Sequence, residues 1–279
     1  MKSYKFTDTK DVCMYRPGIV SYVDGNCLDT QIPGFSTLTI EGRESIGRNI
    51  ETVNYKTVTA GGKKYSAREF DTSQSLNRLI SSSYMSRVVR IHFKIVADND
   101  HDCRRKWEEI NYYTNKEETT LRFSDDPDYY YIGTLIGVGE IPGNVNSAIS
   151  YLEYECLDPF KYERTLQSFK FTMLGTFDRW SMYEVKVESI ETNLTSSAQR
   201  LGLQNVTSGA YINIDRSFSS GDKVIFDLLN HKVLMGTGQD ITADMDFTSY
   251  LEDFTLSTRD NLRCTSRGVT EINYRRKVL

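Results

Sequence analysis

Arg87-Val-Val-Arg-Ile-His-Phe-Lys-Ile-Val96 runs into Asp98-Asn-Asp-His-Asp102 and on to about Lys116. In its first half Ile91, Phe93 and Ile95 alternate with Arg90, His92 and Lys94. A period of two means a strand with one buried face and one wet face. The acidic stretch then supplies residues that cap a helix start. Beyond it the period turns helical. Cys103, Trp107, Ile110 and Thr114 fall on one stripe, while Arg104, Arg105 and Glu108 face outward. The spacing predicts one helix, over about 101–116, set among strands.

On the N-terminal side, Gly18 to Val23 reads as a strand before the turn Asp24-Gly25-Asn26, and Pro33-Gly34-Phe35 marks another turn. Ser36 to Ile40 alternates, which predicts burial of Leu38 and Ile40. Residues 52–70 hold two arms rich in Thr, Tyr and Val around Gly61-Gly62, the signature of a β-hairpin. Each arm would reach roughly 26 Å at about 3.3 Å per residue. Neither face carries a continuous apolar row. A lone polar hairpin is marginally stable in water, so this one should lean either on its own domain or on a neighbouring subunit.

On the C-terminal side, Thr120 to Phe123, Tyr129 to Gly137 and Ala148 to Leu157 read as strands, and Leu152, Tyr154 and Cys156 share one face. Asp158-Pro159 ends that series, because proline removes a ladder donor. The domain boundary is placed between 164 and 165. Residues 165–279 are all β by pattern. Glu184–Glu188 and Tyr211–Asp215 alternate, Lys223–Leu228 and Lys232–Met235 bracket a hairpin, and Val269–Val278 closes the series. Many short strands with frequent turns predict a sandwich. The fold class is therefore mainly β, with an α+β N-terminal domain over 1–164 and a β-sandwich over 165–279.

Composition narrows the functional classes. A chain of 279 residues holds one large or two medium domains. Its 39% hydrophobic and 26% charged residues exclude a disordered polymer. Net charge is −4 and no Lys/Arg block occurs. Without clustered cations, tight or sequence-specific nucleic-acid binding is disfavoured. Five cysteines, with no C-x-x-C pair, argue against a disulfide framework and a thiolate zinc site, and fit synthesis in a reducing cytosol. No secretory signal and no membrane-spanning run are expected.

Chemistry-bearing patterns are sparse. His92, His101 and His231 have no partners at metal-ligand spacing. The Asp98, Asp100, Asp102 and Asp240, Asp244, Asp246 clusters lack the spacing of a calcium loop; helix capping and a solvated loop explain them better. No nucleophile elbow, Walker loop or dinucleotide loop is present. Catalytic residues, cofactors and metals are all expected to be absent. Trp180 and Tyr129-Tyr130-Tyr131 could serve as sugar-stacking platforms. Packing on sheet faces or in a subunit contact is preferred, since no polar cluster is visibly placed to orient a sugar.

Taken in order, Pro33-Gly-Phe35, Glu41-Gly-Arg43, the Arg90–Ile95 strand with the Trp107 helix, Leu121-Arg-Phe-Ser-Asp-Asp-Pro127, Cys156-Leu-Asp-Pro-Phe160 and Ile272-Asn-Tyr-Arg-Arg276 resemble the distal tail proteins of long, flexible-tailed phages. The resemblance spans nearly the whole chain. It implies an N-terminal β-sandwich with one helix and an extended hairpin, followed by a galectin-like sandwich. It also implies a homo-hexameric ring at the virion tail tip, assembled in the host bacterial cytoplasm. Such a ring joins the tail tube protein to a tail-associated lysin or receptor-binding protein and lets DNA pass. The hairpin, with Tyr55, Val58, Tyr65 and Phe70, would be the inter-subunit contact. The alternative is a carbohydrate-binding adhesion protein of the tail tip that uses Trp180.

Overall fold

The computed structural model describes residues 18–44, 46–60, 63–69, 76–140, 146–249, 251 and 254–279; within 48–83 it describes backbone strands only. The chain divides into two compact units, the second made of residues 128–130 and 160–278.

The first unit contains β1 (Ser21–Val23), β2 (Asn26–Cys27), α1 (Leu28–Gln31), β3 (Phe35–Glu41), β4 (Arg48–Ala60), β5 (Lys63–Glu69), β6 (Leu76–Tyr84), β7 (Arg87–Val96), α2 (Asp100–Thr114), β8 (Thr119–Phe123), most of β9 (Asp126–Val138) and β10 (Ser147–Cys156). Its main sheet has the order β2-β1-β8-β9-β10-β7-β3, with antiparallel pairing at every rung. The alternation in β7 is realised in full: Ile91, Phe93 and Ile95 are completely buried, and Arg90 and Lys94 are exposed. α2 is capped by Asn99, whose side chain accepts from Asp102 N at 2.9 Å. Phe35 stacks on Phe93 at 4.8 Å, and Trp107 follows at 6.1 Å. This row of rings ties β3 and β7 to the helix.

Two local features depart from the simple pattern. Leu38 is 41% exposed, because a register shift between Thr37 and Thr39 turns it away from the core while Ile40 stays inside. The chain also makes a second helix, the four-residue α1. It positions Asp29, which joins the two ends of the sheet. Asp29 Oδ1 accepts from Thr37 N at 2.7 Å. Its Oδ2 accepts from Thr37 Oγ1 at 2.7 Å and from Ser21 N at 3.3 Å. Ser21 and Thr37 are buried and their hydroxyls lie 2.7 Å apart. Since β1 and β3 stand near opposite ends of the strand order, these bonds show that the sheet curls round on itself. Asp29→Ala should destabilise the first unit by about 2–3 kcal/mol, the scale of hydrogen bonds to a charged group. Chemical denaturation followed by Trp107 fluorescence measures it; a loss below about 0.5 kcal/mol would mean that the clasp is incidental.

α2 also contributes a cation to the interior. Lys106 is buried, and its Nζ donates to Val96 O at 2.8 Å while lying 2.8 Å from Asp102 Oδ2. Gly34 permits this closeness: its φ is +87°, and a Cβ there would fall 2.1 Å from Val96 O. Lys106, then Arg105, hold the Asp102 carboxyl well below its ordinary value of 3.8. A folded-state value below the unfolded one stabilises at neutral pH and is lost as pH falls. The gap in melting temperature between the protein and Asp102→Asn should therefore be constant above pH ~5 and shrink below pH ~4. A gap unchanged at pH ~3 would exclude the ion pair as its source.

The second unit comprises β11 (Lys161–Glu163), β12 (Gln167–Phe171), β13 (Leu174–Thr176), β14 (Lys186–Leu194), β15 (Leu201–Asn205), β16 (Tyr211–Ile214), β17 (Lys223–Asp227), β18 (Lys232–Met235), β19 (Asn261–Cys264), β20 (Gly268–Arg275) and β21 (Lys277–Val278). Tyr129 and Tyr130, at the start of β9, pair with Glu163 and Tyr162 of β11. A five-stranded sheet, β12-β20-β14-β17-β18, faces a four-stranded sheet, β13-β19-β15-β16. Ile190 and Phe226 from the first meet Leu203, Ile212 and Leu262 from the second in one core. Two sheets closed over a shared core make a sandwich. The predicted β17–β18 hairpin forms, with His231 at its turn in a left-handed conformation.

Candidate assembly site

Between β3 and β7 the chain leaves the curled sheet and builds a separate three-stranded sheet, β5-β4-β6. β4 follows β3 in the chain after a short neck, and β6 leads back into β7. Val58 pairs with Tyr65 and Tyr55 with Arg68 across β4–β5, while β6 runs along the other edge of β4. The arm therefore has one strand more than its sequence pattern shows. Leu76-Asn-Arg-Leu-Ile-Ser-Ser-Ser-Tyr84 has no period of two to reveal it. Phe70 and the Gly61-Gly62 turn lie outside the described residues. β4, with 13 residues the longest of the three, extends about 43 Å at ~3.3 Å per residue.

The neck of this arm is tied by several backbone and side-chain bonds. Met85 N donates to Gly47 O at 3.1 Å, which brings the two chains together. Gly42 turns β3 into the neck with φ +85°, and a Cβ on it would sit 1.9 Å from Val88 O. Only glycine fits both demands. Arg87, the first residue of β7, is 2% exposed. Its Nε donates to Pro159 O at 2.8 Å, and its Nη1 donates to Arg43 O at 2.5 Å and to Gly42 O at 3.1 Å. The guanidinium lies 5.5 Å from the centre of the Tyr131 ring. Arg43 completes the neck with a two-pronged bond to Asp125, at 2.9 and 2.6 Å, over the ring of Phe123. Asp125 raises the Arg43 pKa further. Burial pushes the Tyr131 hydroxyl up and the neighbouring Cys156 thiol up to about 12, so both stay neutral beside the arginines.

The other residues singled out in the sequence are dispersed. Trp180 lies in the loop between β13 and β14 and is 67% exposed, so it does not pack on a sheet face. Tyr131 is buried at the neck. Tyr129 and Tyr130 are half-buried, with Lys161 and Arg275 over their rings. His92 lies 3.3 Å from Glu41. Both acidic clusters serve structure. Asp102 binds Lys106 and Arg105. Asp244 pairs with Arg216, while Asp240 and Asp246 accept from Thr242 and Thr248. Among the described residues, no group of three or more His, Cys, Asp or Glu side chains could hold a metal ion, and no helix is long and apolar enough to cross a membrane. Arg87 was missed as a key residue; the only sequence signal is an arginine at the edge of an apolar alternation.

Comparison with known proteins agrees with this architecture. The family described as siphovirus-type tail component, C-terminal domain, matches residues 183–277, and the phage tail protein RIFT-related domain matches residues 77–152. The crystal structure of the Dit protein of phage SPP1, described as a paradigm of the hub adsorption apparatus in phages infecting Gram-positive hosts, superposes with TM-score 0.70 at 18% identity. That match covers 94% of this chain and 100% of the SPP1 chain. Two structures of the phage p2 baseplate in its activated conformation, one with calcium and one with strontium, each match with TM-score 0.51. Their identities are 9% and 10%, with 93% and 94% of this chain covered and 98% and 99% of theirs. No curated protein sequence gives a significant match. With phage tail families matching stretches in both units, and a mostly β fold shared over 94% of the chain with a phage Dit protein, the chain belongs to the distal tail proteins of siphophages.

Proposed function

We propose that this tail component is the hub subunit of a tail-tip ring, in which six copies close head to tail and each lends its β4–β5–β6 arm to the next. The observation that carries this reading is the arm: a narrow, polar sheet outside the curled sheet, held at its base by Arg87 and Arg43. A ring is a closed heterologous assembly, one surface of each subunit meeting a different surface of its neighbour. An arm fixed at the neck suits that geometry. Tyr55 and Val58 on β4, Tyr65 on β5 and Phe70 beyond it are the contact residues in this reading. The hub role described for SPP1 Dit, and the baseplate setting of the p2 proteins, support it by analogy of fold.

The two faces of the ring would meet the tail tube protein on one side and the tail-associated lysin or receptor-binding protein on the other. DNA would pass through the channel, and a net charge of −4 with no basic block would let it slide. The role is structural and non-catalytic, within the virion tail, after assembly in the host cytoplasm. Multi-angle light scattering tests the ring directly: a particle near six times 32.1 kDa is expected. A strict monomer at high concentration would sink the reading. The exposed Trp180 keeps a second reading open, a carbohydrate-binding adhesion role, which would show as glycan-array binding lost in Trp180→Ala.

A further inference from the structure

The end of the second unit opposite β21 carries an open depression of about 400 Å³, lined by Met173 and by the loops joining β14 to β15 and β19 to β20. Its walls are tied to one another. Thr195 N donates to Arg267 O at 3.0 Å, and Cys264 N to Met173 O at 2.9 Å. Ser266 Oγ donates to Arg200 O at 2.8 Å, and Ser220 Oγ to Thr195 O at 3.0 Å. Loops cross-linked in this way are set before any ligand arrives.

The polar groups left over are donors. Arg267 is exposed and its side chain has no partner among the described residues. Gln199 uses its carbonyl oxygen on Ser217, which leaves its NH₂ group to donate. The Thr265 hydroxyl accepts from Gly202 N at 2.8 Å and keeps its own proton to give. Ser196 and Ser197 add two hydroxyls. The second cation, Arg200, is balanced by Asp215 at 2.5 Å, outside the depression. No carboxylate lines the space, in a chain whose net charge is −4.

From this donor set we infer that the depression is a binding site for an anionic saccharide, one bearing a carboxylate or phosphate. The unpaired guanidinium of Arg267 meets the anion through charge-assisted bonds. The spread of neutral donors from Ser196, Ser197, Gln199 and Thr265 matches ring hydroxyls better than the side chain of an acidic peptide. Met173, 44% exposed, offers an apolar patch to the C–H face of a sugar. The volume falls within the ordinary range of small-molecule pockets. The site is separate from Trp180 and from the arm, and does not rest on the ring.

Saturation-transfer difference NMR and calorimetry on the intact chain decide it, with glucuronate, glucose, acetate and polyaspartate as probes. Glucuronate should bind measurably and at least about tenfold more tightly than glucose or acetate. Arg267→Ala should weaken it about tenfold or more, and Gln199→Ala several-fold. Neither variant should change the light-scattering mass, which separates this result from any failure of ring formation. Absence of glucuronate binding, or binding untouched by Arg267→Ala, overturns the proposal. Acetate or polyaspartate binding as tightly as glucuronate would show a plain anion or peptide site and overturn it equally.

Discussion

Arg87→Ala should lower the stability of the first unit by about 3–5 kcal/mol, the combined scale of carbonyls left without donors and of the space the side chain vacates. The Arg87 side chain is among the largest that are fully buried, and it serves three backbone carbonyls, those of Gly42, Arg43 and Pro159. Alanine leaves those acceptors without donors in a space that water cannot easily refill, and unsatisfied buried acceptors cost about 1–3 kcal/mol each before any cavity is counted. Arg87→Lys should recover less than half of the loss, because one ammonium cannot span acceptors arranged around a planar fork. Trp180→Phe leaves Trp107 as the sole tryptophan and so reports on the first unit alone. In that background the melting transition should fall by about 10 °C. A shift under about 2 °C would show that the neck is held by other contacts.

The cost of Arg87→Ala could not have been read from the sequence, and the reason is physical. Hydrophobic alternation displayed β7 and β10 plainly, since each has one face in the core, and the change of period displayed α2. A buried cation answers to no such pattern. Arg87 and Lys106 look like surface residues, and their partners are main-chain carbonyls brought near by Gly42 and Gly34, whose special dihedrals have no signature beyond the letter G. Leu38 was misplaced because one register shift in β3 reverses the faces that follow. β6 was missed because Ser81-Ser82-Ser83 erases its periodicity. In the second unit β14, β16, β17, β18 and β20 were legible from their alternation, whereas β11, β12, β13, β15 and β19, each of five residues or fewer, are too short to display a period. The leftover donors around Arg267 were not legible at all, since they come from loops about 70 residues apart in the chain.

Excising Arg48–Tyr84 should abolish ring formation while leaving the first unit folded. Gly47 and Met85 are already hydrogen-bonded at the neck, so an Asn-Gly linker closes the gap as a hairpin turn with little conformational cost. The cluster built by Ile91, Phe93, Ile95, Leu121 and Leu152 lies outside the excised segment, and Arg87 keeps all three of its carbonyls. The melting temperature should therefore change by no more than a few degrees, since surface changes away from the core lie within about 0.5 kcal/mol. Assembly should respond very differently. A specific contact needs more than about 1,000 Å² in total, and a sheet whose central strand runs about 43 Å is long enough to supply much of it. Substituting serine for Tyr55, Val58, Tyr65 and Phe70 together separates side-chain contact from mere bulk. If those residues anchor the neighbour, each truncation weakens the contact by about 1–3 kcal/mol, enough in combination to leave monomers at micromolar concentration. Six-fold particles persisting after the full excision would show that the subunits meet through the curled sheet itself, and the arm would then need another partner.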